Sequence, residues 1–305
     1  MEEPVGKGTT AAKRTAVVTG ANKGIGLEIC RQLSSRGVLV VLTARDERRG
    51  TEAVEELRSS GLSDVLFHQL DVADPSSVSS LANFVKTQFG KLDILVNNAG
   101  VSGLEVNPQE VASLEEKDNQ SRANKIAELA RETHETALEC LNANYYGVKR
   151  VTEALLPLLE LADSPNIVIV SSTLGQLKNI PSEIIRKQMG TVDEQTEERL
   201  DELLQSFLKD LKEQKLEENG WPTNLSAYKV SKAAVSTYTR VLAAKHPKFR
   251  INCVCPGFVK TDINFNSGIL SVEEGAKGPV KLALLPADGS PTGLFYQQTN
   301  LSTFE

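Results

Sequence analysis

Short apolar, β-branched runs alternate along the chain with longer segments of helical periodicity. The runs are Thr15 to Thr19, Val38 to Leu42, Val65 to Leu70, Leu92 to Val96, Asn166 to Val170 and Ile251 to Val254. They read as near-continuous hydrophobic strands, the pattern expected where a parallel sheet is covered on both faces. Helical periodicity begins directly after the first of them, from Leu27 to Leu33. Unbroken strand–helix alternation predicts an α/β, doubly wound Rossmann fold with a parallel sheet of about seven strands and helical insertions. The 305 residues would accommodate one large domain or two smaller ones. The unbroken alternation favours a single domain over 14–305, preceded by a polar tail at 1–13.

Each strand ends in a turn rich in polar or small residues. In an open parallel sheet the ligand crevice lies outside the carboxyl ends of the strands. The first turn runs Gly20, Ala21, Asn22, Lys23, Gly24, Ile25, Gly26. Glycines between strand and helix let backbone N–H groups approach a pyrophosphate at the helix N-terminus. The spacing Gly-x-x-x-Gly-x-Gly would also serve to pack a helix on a strand. Its place between strand and helix favours a dinucleotide. The second strand leads to Thr43-Ala44-Arg45-Asp46, where an acidic residue would bind a ribose 2′-hydroxyl and an arginine a 2′-phosphate. Arg45 comes first and Lys23 adds a second cation, which predicts NADPH/NADP+ as the cofactor. Pairing of Arg45 with Asp46 is the competing arrangement. Asp71-Val72 suits the adenine edge. Asn97-Asn98-Ala99-Gly100 and Cys255-Pro256-Gly257-Phe258-Val259-Lys260-Thr261 complete the row of turns. Asn98, Ala99, Gly100, Pro256, Gly257, Val259 and Thr261 are the cofactor-side candidates there.

Ser172 closes the fifth strand, and Tyr228-Lys-Val-Ser-Lys232 follows after a long interval. A tyrosine four residues before a lysine lies on the same helical face. The ammonium favours the ionised phenol, whose ordinary pKa is about 10. A phenol drawn towards operating pH can exchange a proton with a carbonyl, with Ser172 holding the oxygen. Such a pair is also common as plain surface packing, so the dinucleotide turns decide between the two.

Gly20-x-x-x-Gly24-x-Gly26, Asn97-Asn98-Ala99-Gly100, Asn144, Ser172, Tyr228-x-x-x-Lys232 and Pro256-Gly257 stand in the order of the short-chain dehydrogenases/reductases, which the chain resembles over about residues 14–297. The resemblance implies a tetrad of Asn144, Ser172, Tyr228 and Lys232, with Asn144 in a water relay behind Lys232. It implies that Tyr228 protonates the substrate oxygen, Ser172 orients it, Lys232 binds the nicotinamide ribose, and the pro-S hydride is transferred. The residues themselves give Asn144 no chemical claim. An insertion near 176–221, Asn219-Gly-Trp-Pro222 and the Asn-Lys-Gly turn are similar to the monomeric carbonyl reductases. Cys253-Val-Cys-Pro-Gly-Phe-Val-Lys-Thr261 and Gly293-Leu-Phe-Tyr296 are similar to the plant branch that includes salutaridine, menthone and neomenthol reductases.

Within that insertion Leu200, Leu203, Leu204, Phe207, Leu208 and Leu211 form one apolar helical stripe. Thr191 to Glu194 reads as its capping box. The stripe is expected to cover the surface that other members use for helix pairing, leaving a monomer. A second insertion near 101–125 is polar and weakly periodic, and reads either as a solvated loop or as a substrate flap. By resemblance Leu104, Val106, Asn107, Leu177, Phe258, Ile263 and Asn264 line the substrate pocket together with Ser172. Core packing is the rival role for each.

Composition narrows the field. Net charge is −6, and no basic, aromatic-interleaved patch points to nucleic acid. No stretch reaches the roughly 18 apolar residues of a membrane span. The N-terminal tail lacks the apolar core of a secretory signal, and Glu2 and Glu3 argue against a transit peptide. Four cysteines and three histidines lack metal-ligand spacing, so no metal is expected and the thiols read as free in a reducing, cytoplasmic setting. The expected activity is NADPH-dependent reduction of a small hydrophobic ketone or aldehyde of terpenoid or alkaloid type. The rivals are a broad aldehyde and quinone reductase and a nucleotide-binding regulator without turnover.

Overall fold

The computed structural model describes residues 13–114, 119–191, 196–286 and 289–305. Its strands are β1 (Thr15–Val18), β2 (Leu39–Ala44), β3 (Val65–Gln69), β4 (Ile94–Asn97), β5 (Asn166–Val170), β6 (Arg250–Cys255), β7 (Phe295–Gln297) and β8 (Asn300–Leu301). They form one sheet in the order β3-β2-β1-β4-β5-β6-β7-β8. The first seven are parallel, and β8 turns back antiparallel on β7. The two-residue β8 is too short to leave a strand signature in the sequence.

Alternate residues of each strand feed two cores. Ala16, Val18, Ile94, Val96, Val168 and Val170 point to one side and pack with Ile29, Leu33, Val54, Leu57, Val280 and Ala283. These come from α1 (Gly24–Ser34), α2 (Glu47–Ser59) and α11 (Val272–Ala283). Val17, Leu95, Ile167, Ile169 and Cys253 point to the other side. There they meet α3 (Pro75–Phe89), α6 (His134–Leu141), α7 (Gly147–Leu159) and α10 (Ser226–Lys245). Burial on both faces explains why the strand sequences are uniformly apolar.

The insertions are more structured than their composition implies. The first contains α4 (Pro108–Ala112) and α5 (Asn119–Leu129), with Val111 and Ile126 buried. Of the two alternatives, the purely solvated loop is corrected: Val111 and Ile126 anchor the segment, and Arg122 ties the carbonyls of Val111 and Leu114. The second contains α8 (Glu183–Gly190) and α9 (Glu197–Lys212). The apolar stripe lies on α9 as expected, but its cap differs. Thr196 accepts from the Arg199 amide, whereas Thr191 closes the C-terminus of α8. Glu194 lies outside the described residues.

The strand order reverses between β1 and β4. The connections of these two strands leave in opposite directions, which opens the crevice at their carboxyl ends.

Candidate active site

The glycine turn sits at this crevice. Gly20 and Gly24 have φ of +62° and +59°, a region that side chains with a Cβ rarely enter. A Cβ on Gly26 would lie 2.5 Å from Asn98 Nδ2 and 2.6 Å from the Gly20 carbonyl oxygen. Asn98 accounts for this closeness, because its Nδ2 donates to the carbonyls of Thr19 and Gly20 at 2.9 and 3.1 Å. Thr19 Oγ1 in turn accepts from the amides of Asn98 and Ala99. The turns after β1 and β4 are thus one hydrogen-bonded unit. Lys23 occupies the N-cap of α1 without a side-chain capping bond, so the first-turn amides of that helix face the crevice uncapped. Asn97, by contrast, donates to Thr152 Oγ1 inside the core.

At the end of β2 the competition between Arg45 and Asp46 is resolved. Asp46 is the N-cap of α2 and accepts from the Arg49 amide at 2.9 Å. That bond holds its carboxyl below the ordinary range. Arg45 is exposed, and its guanidinium has no hydrogen-bond or ion-pair partner among the described residues. Lys23, the second cation expected at the ribose, has a partner of its own. Its Nζ pairs with Asp262 on the loop after β6. Thr261 stands beside the same turn, its Cγ2 3.5 Å from where a Gly24 Cβ would lie. Asp71 accepts from the Ala73 amide, and the Val72 carbonyl accepts from Arg150.

The fifth strand and α10 bring the reactive side chains together. Lys232 Nζ donates to the Val170 carbonyl at 2.9 Å. Ser171 Oγ donates to the Lys232 carbonyl at 3.2 Å. A Cβ on Gly175 would be 2.4 Å from the Lys232 carbonyl carbon, so the turn that carries Ser172 lies flat against α10. The Lys232 ammonium sits over the Tyr228 ring, 5.6 Å from its centroid. Ser172 approaches the phenol closely enough to favour its ionised form. Asn144 lies on a π-helical turn, Asn142–Tyr146, between α6 and α7. Its Oδ1 accepts from the Val101 amide at 2.8 Å, and its Nδ2 donates to the Val101 carbonyl at 3.0 Å and to Ser231 Oγ at 3.1 Å. A Cβ on Gly100 would stand 3.0 Å from Asn144 Oδ1 and 3.6 Å from Lys232 Nζ. Gly100, Asn144 and Lys232 therefore share one small space, and the Tyr228 ring lies beyond Lys232.

The electrostatics reverse one expectation. Burial, followed by the neighbouring Cys255 and Cys140 thiols, raises the Tyr228 phenol above its ordinary pKa. The net direction is opposite to the lowering expected from Lys232. Burial pushes the Lys232 pKa down to about 8.

The substrate-side candidates divide into two groups. Phe258 and Ile263 are exposed large apolar residues, as are Val101 and Ile269. Leu104 and Val106 are partly exposed. Leu177 is buried in the main core, and its amide donates to the Phe304 carbonyl. The Asn107 and Asn264 side chains are engaged with backbone: Asn107 caps α4, and Asn264 donates to the Val259 carbonyl at 2.8 Å.

Glu132 has no signature in the sequence. Its carboxylate accepts from Ser226 N at 3.0 Å, Ser226 Oγ at 2.6 Å and Ala227 N at 2.7 Å. It thereby caps the helix that carries Tyr228 and Lys232 from 94 residues away. Only the absence of any Ser, Thr, Asp or Asn at the N-cap, occupied here by Leu225, hints that the cap comes from elsewhere.

The short chain dehydrogenase family matches residues 14–183, and residues 216–292 match a family described as enoyl-(acyl carrier protein) reductase. The chain is 57% identical over 298 residues to short-chain dehydrogenase/reductase 1 of Saponaria officinalis, covering 97% of each. It is 55% identical over 294 residues to (+)-neomenthol dehydrogenase of Arabidopsis thaliana, covering 95% of this chain and 98% of that one. The solved structure of salutaridine reductase from Papaver somniferum superposes with a TM-score of 0.88 at 52% identity, covering 93% of this chain and 99% of that one.

Proposed function

The chain belongs to the short-chain dehydrogenases, oxidoreductases that use a nicotinamide cofactor, and from that premise we propose that it is an NADPH-dependent reductase of small hydrophobic ketones of terpenoid or alkaloid type. The observation that carries the reading is that α10 brings Tyr228 and Lys232 beside the turn that carries Ser172, with Asn144 bonded to the same helix at Ser231. Residues 14–305 act as one catalytic unit in this reading.

The residues fit the cofactor. The uncapped first turn of α1 offers amides to a pyrophosphate, and Gly20, Asn22, Gly24, Ile25 and Gly26 form the turn whose backbone would meet it, with Gly24 open to close approach. Arg45, with Asp46 committed to its helix, meets a 2′-phosphate rather than a 2′-hydroxyl. When bound there, the reduced cofactor supplies the hydride. Asp71 and Val72 border the adenine, while Asn98, Ala99 and Gly100 form the floor. Pro256, Gly257, Val259 and Thr261 close the nicotinamide side.

The chain's own residues handle the oxygen and its proton. Ser172 donates to the substrate carbonyl oxygen and aligns it with the phenol. Tyr228 gives its proton to that oxygen as charge develops there. Its raised pKa keeps the proton in place until the oxygen becomes the stronger base. Lys232, buried and held by Val170, sets a positive charge under the ring and reaches the ribose. Asn144, joined to the Val101 backbone, holds the floor behind Lys232. Phe258, Ile263 and Val101 give the mouth an apolar rim suited to a hydrophobic ketone.

No helix among the described residues is long and apolar enough to cross a membrane, and all four cysteines are buried free thiols. Both support a cytoplasmic setting. A panel of menthone-like ketones, alkaloid ketones, aldehydes and quinones, read by NADPH oxidation, tests the reading. Ketone turnover that collapses in Tyr228→Phe, with NADPH binding kept, is the expected result. A panel with turnover only on aldehydes and quinones would favour the broad reductase, and unchanged turnover in Tyr228→Phe would remove Tyr228 as the acid.

A further inference from the structure

The helix bearing the candidate acid begins in an unusual way. Leu225, its N-cap residue, lies at φ 49°, ψ 37° and makes no side-chain capping bond. A left-handed leucine is strained, and its side chain has no acceptor for the first-turn amides. Ser226 and Ala227, which carry those amides, are fully buried, so bulk water does not replace a missing acceptor. Tyr228 is the very next residue.

Glu132 supplies what Leu225 lacks, and we infer that it is a positioning residue for catalysis. One carboxylate oxygen takes the Ser226 amide and hydroxyl, and the other takes the Ala227 amide. The two-pronged grip fixes both the height and the rotation of α10 at its first turn. Height and rotation together decide where Tyr228 meets Ser172 and where Lys232 meets Val170. The negative charge also complements the positive end of the helix.

The backbone next to this carboxylate is paired with the substrate-side strip. Arg131, its neighbour, pairs with Glu105 through reciprocal backbone bonds of 2.9 Å in each direction. Glu105 lies between Leu104 and Val106. A Cβ on Gly103 would come within 3.6 Å of the Ala227 Cβ and 2.9 Å of the Cys140 Cβ, so this segment packs directly on the start of α10. Glu132 thus ties the acid's helix to the strip of chain that borders the ketone, and a shift of either moves the other. This role rests on the reductase reading above.

The test compares the full-length protein with Glu132→Gln and Glu132→Ala. Amide exchange of Ser226 and Ala227 is expected to speed up by about tenfold in Glu132→Ala. Ketone turnover, kcat, is expected to fall by about tenfold or more, while the NADPH dissociation constant changes by a smaller factor, because, of the cofactor-side residues, only Tyr228 and Lys232 ride on the helix that Glu132 caps. Glu132→Gln keeps one acceptor oxygen and is expected to fall between the two, a partial rescue that general destabilisation does not produce. A folded Glu132→Ala with wild-type kcat, or with unchanged exchange at Ser226 and Ala227, overturns the inference. If Glu132→Ala does not fold, wild-type values in Glu132→Gln overturn it. If the wild type turns over no ketone, the reductase reading fails, and the exchange result alone decides the anchor.

Discussion

The Arg49 amide donates to the Asp46 carboxylate at 2.9 Å, and this single bond bears on cofactor choice. An aspartate at the end of the second strand normally argues for NADH, since it would accept from a ribose 2′-hydroxyl. Here its acceptor is turned towards the helix. Arg45 remains as the exposed charge at the strand end, one residue earlier.

Arg45→Ala is therefore expected to weaken NADPH and to spare NADH. Loss of a charge-assisted hydrogen bond costs about 1.5–3 kcal/mol, which is about tenfold or more in the dissociation constant. Fluorescence titration with both cofactors reads the difference. Equal loss for the two would contradict the assignment.

Lys23 and Asp262 lead to a second cofactor prediction. The pair joins the glycine turn to the loop after β6, and both side chains are well exposed. Asp262 thus competes with a 2′-phosphate for the Lys23 ammonium. Asp262→Asn is expected to tighten NADPH by about two- to fivefold, the scale of an exposed ion pair, and the gain shrinks as salt is added. Weaker NADPH binding in that variant would mean that the loop contact matters more than the freed lysine.

What the sequence reveals follows the range of the interactions. Strands whose both faces are buried announce themselves by composition, as at Val40 and Val41 or Ile167 to Val170. The α9 stripe is legible because Leu200, Leu204 and Phe207 repeat at the helical period. Tyr228 and Lys232 are legible because one turn of one helix joins them. Glu132 is invisible because its partners lie 94 residues away and no local pattern marks it. Asn144 reaches Val101 and Ser231 from a π-helical turn, and a single extra residue in a helix leaves no periodic trace. The raised Tyr228 pKa depends first on burial and then on the Cys255 and Cys140 thiols from separate elements, which spacing alone does not supply. Leu177 shows the same limit from the other direction: an apolar residue after Ser172 fits pocket and core equally until its contacts with Gly190 and Phe304 are seen.

Lys232 is a candidate for a functional residue that costs stability. Its pKa falls from 10.5 to about 8 through burial. Below pH 8 both folded and unfolded chains hold the proton, and the native state bears the whole desolvation penalty. Between pH 8 and 10.5 the native state releases the proton first, so this group's contribution becomes less unfavourable as pH rises. Lys232→Met is thus expected to be more stable than wild type at pH 7, by on the order of 2 kcal/mol after allowing for the lost bond to Val170. The advantage should shrink through that pH window, and activity should be lost throughout. Urea midpoints measured from pH 7 to 10 read the difference. A variant less stable than wild type at pH 7 would show that the bond to Val170 outweighs desolvation.

The oligomeric state depends on what α9 covers. Leu200, Leu204 and Phe207 are fully buried, and Phe207 packs edge-on against Trp221 with ring centroids 5.3 Å apart. Trp221 Nε1 donates to Asp210 at 2.8 Å, which locks the end of the insertion to its own helix. Polar bonds then fasten α9 to the body: Tyr145 Oη donates to Asp201 at 2.9 Å, Lys149 pairs with Asp201 at 2.9 Å and with Glu197 at 3.4 Å, and Lys245 also reaches Glu197. These partners lie on the π-helical turn, α7 and α10, so the insertion covers that face of the body, which is the pairing surface on the monomer reading. The chain is expected to scatter light as a monomer of 33.1 kDa. Phe207→Ala should lower stability by about 3–5 kcal/mol, the range for emptying a buried aromatic site, and Leu204→Asp should release the insertion and raise the apparent mass by exposing the covered apolar face. A full-length tetramer stable at micromolar concentration would show that the insertion leaves the pairing surface open and that its packing serves only the stability of the fold.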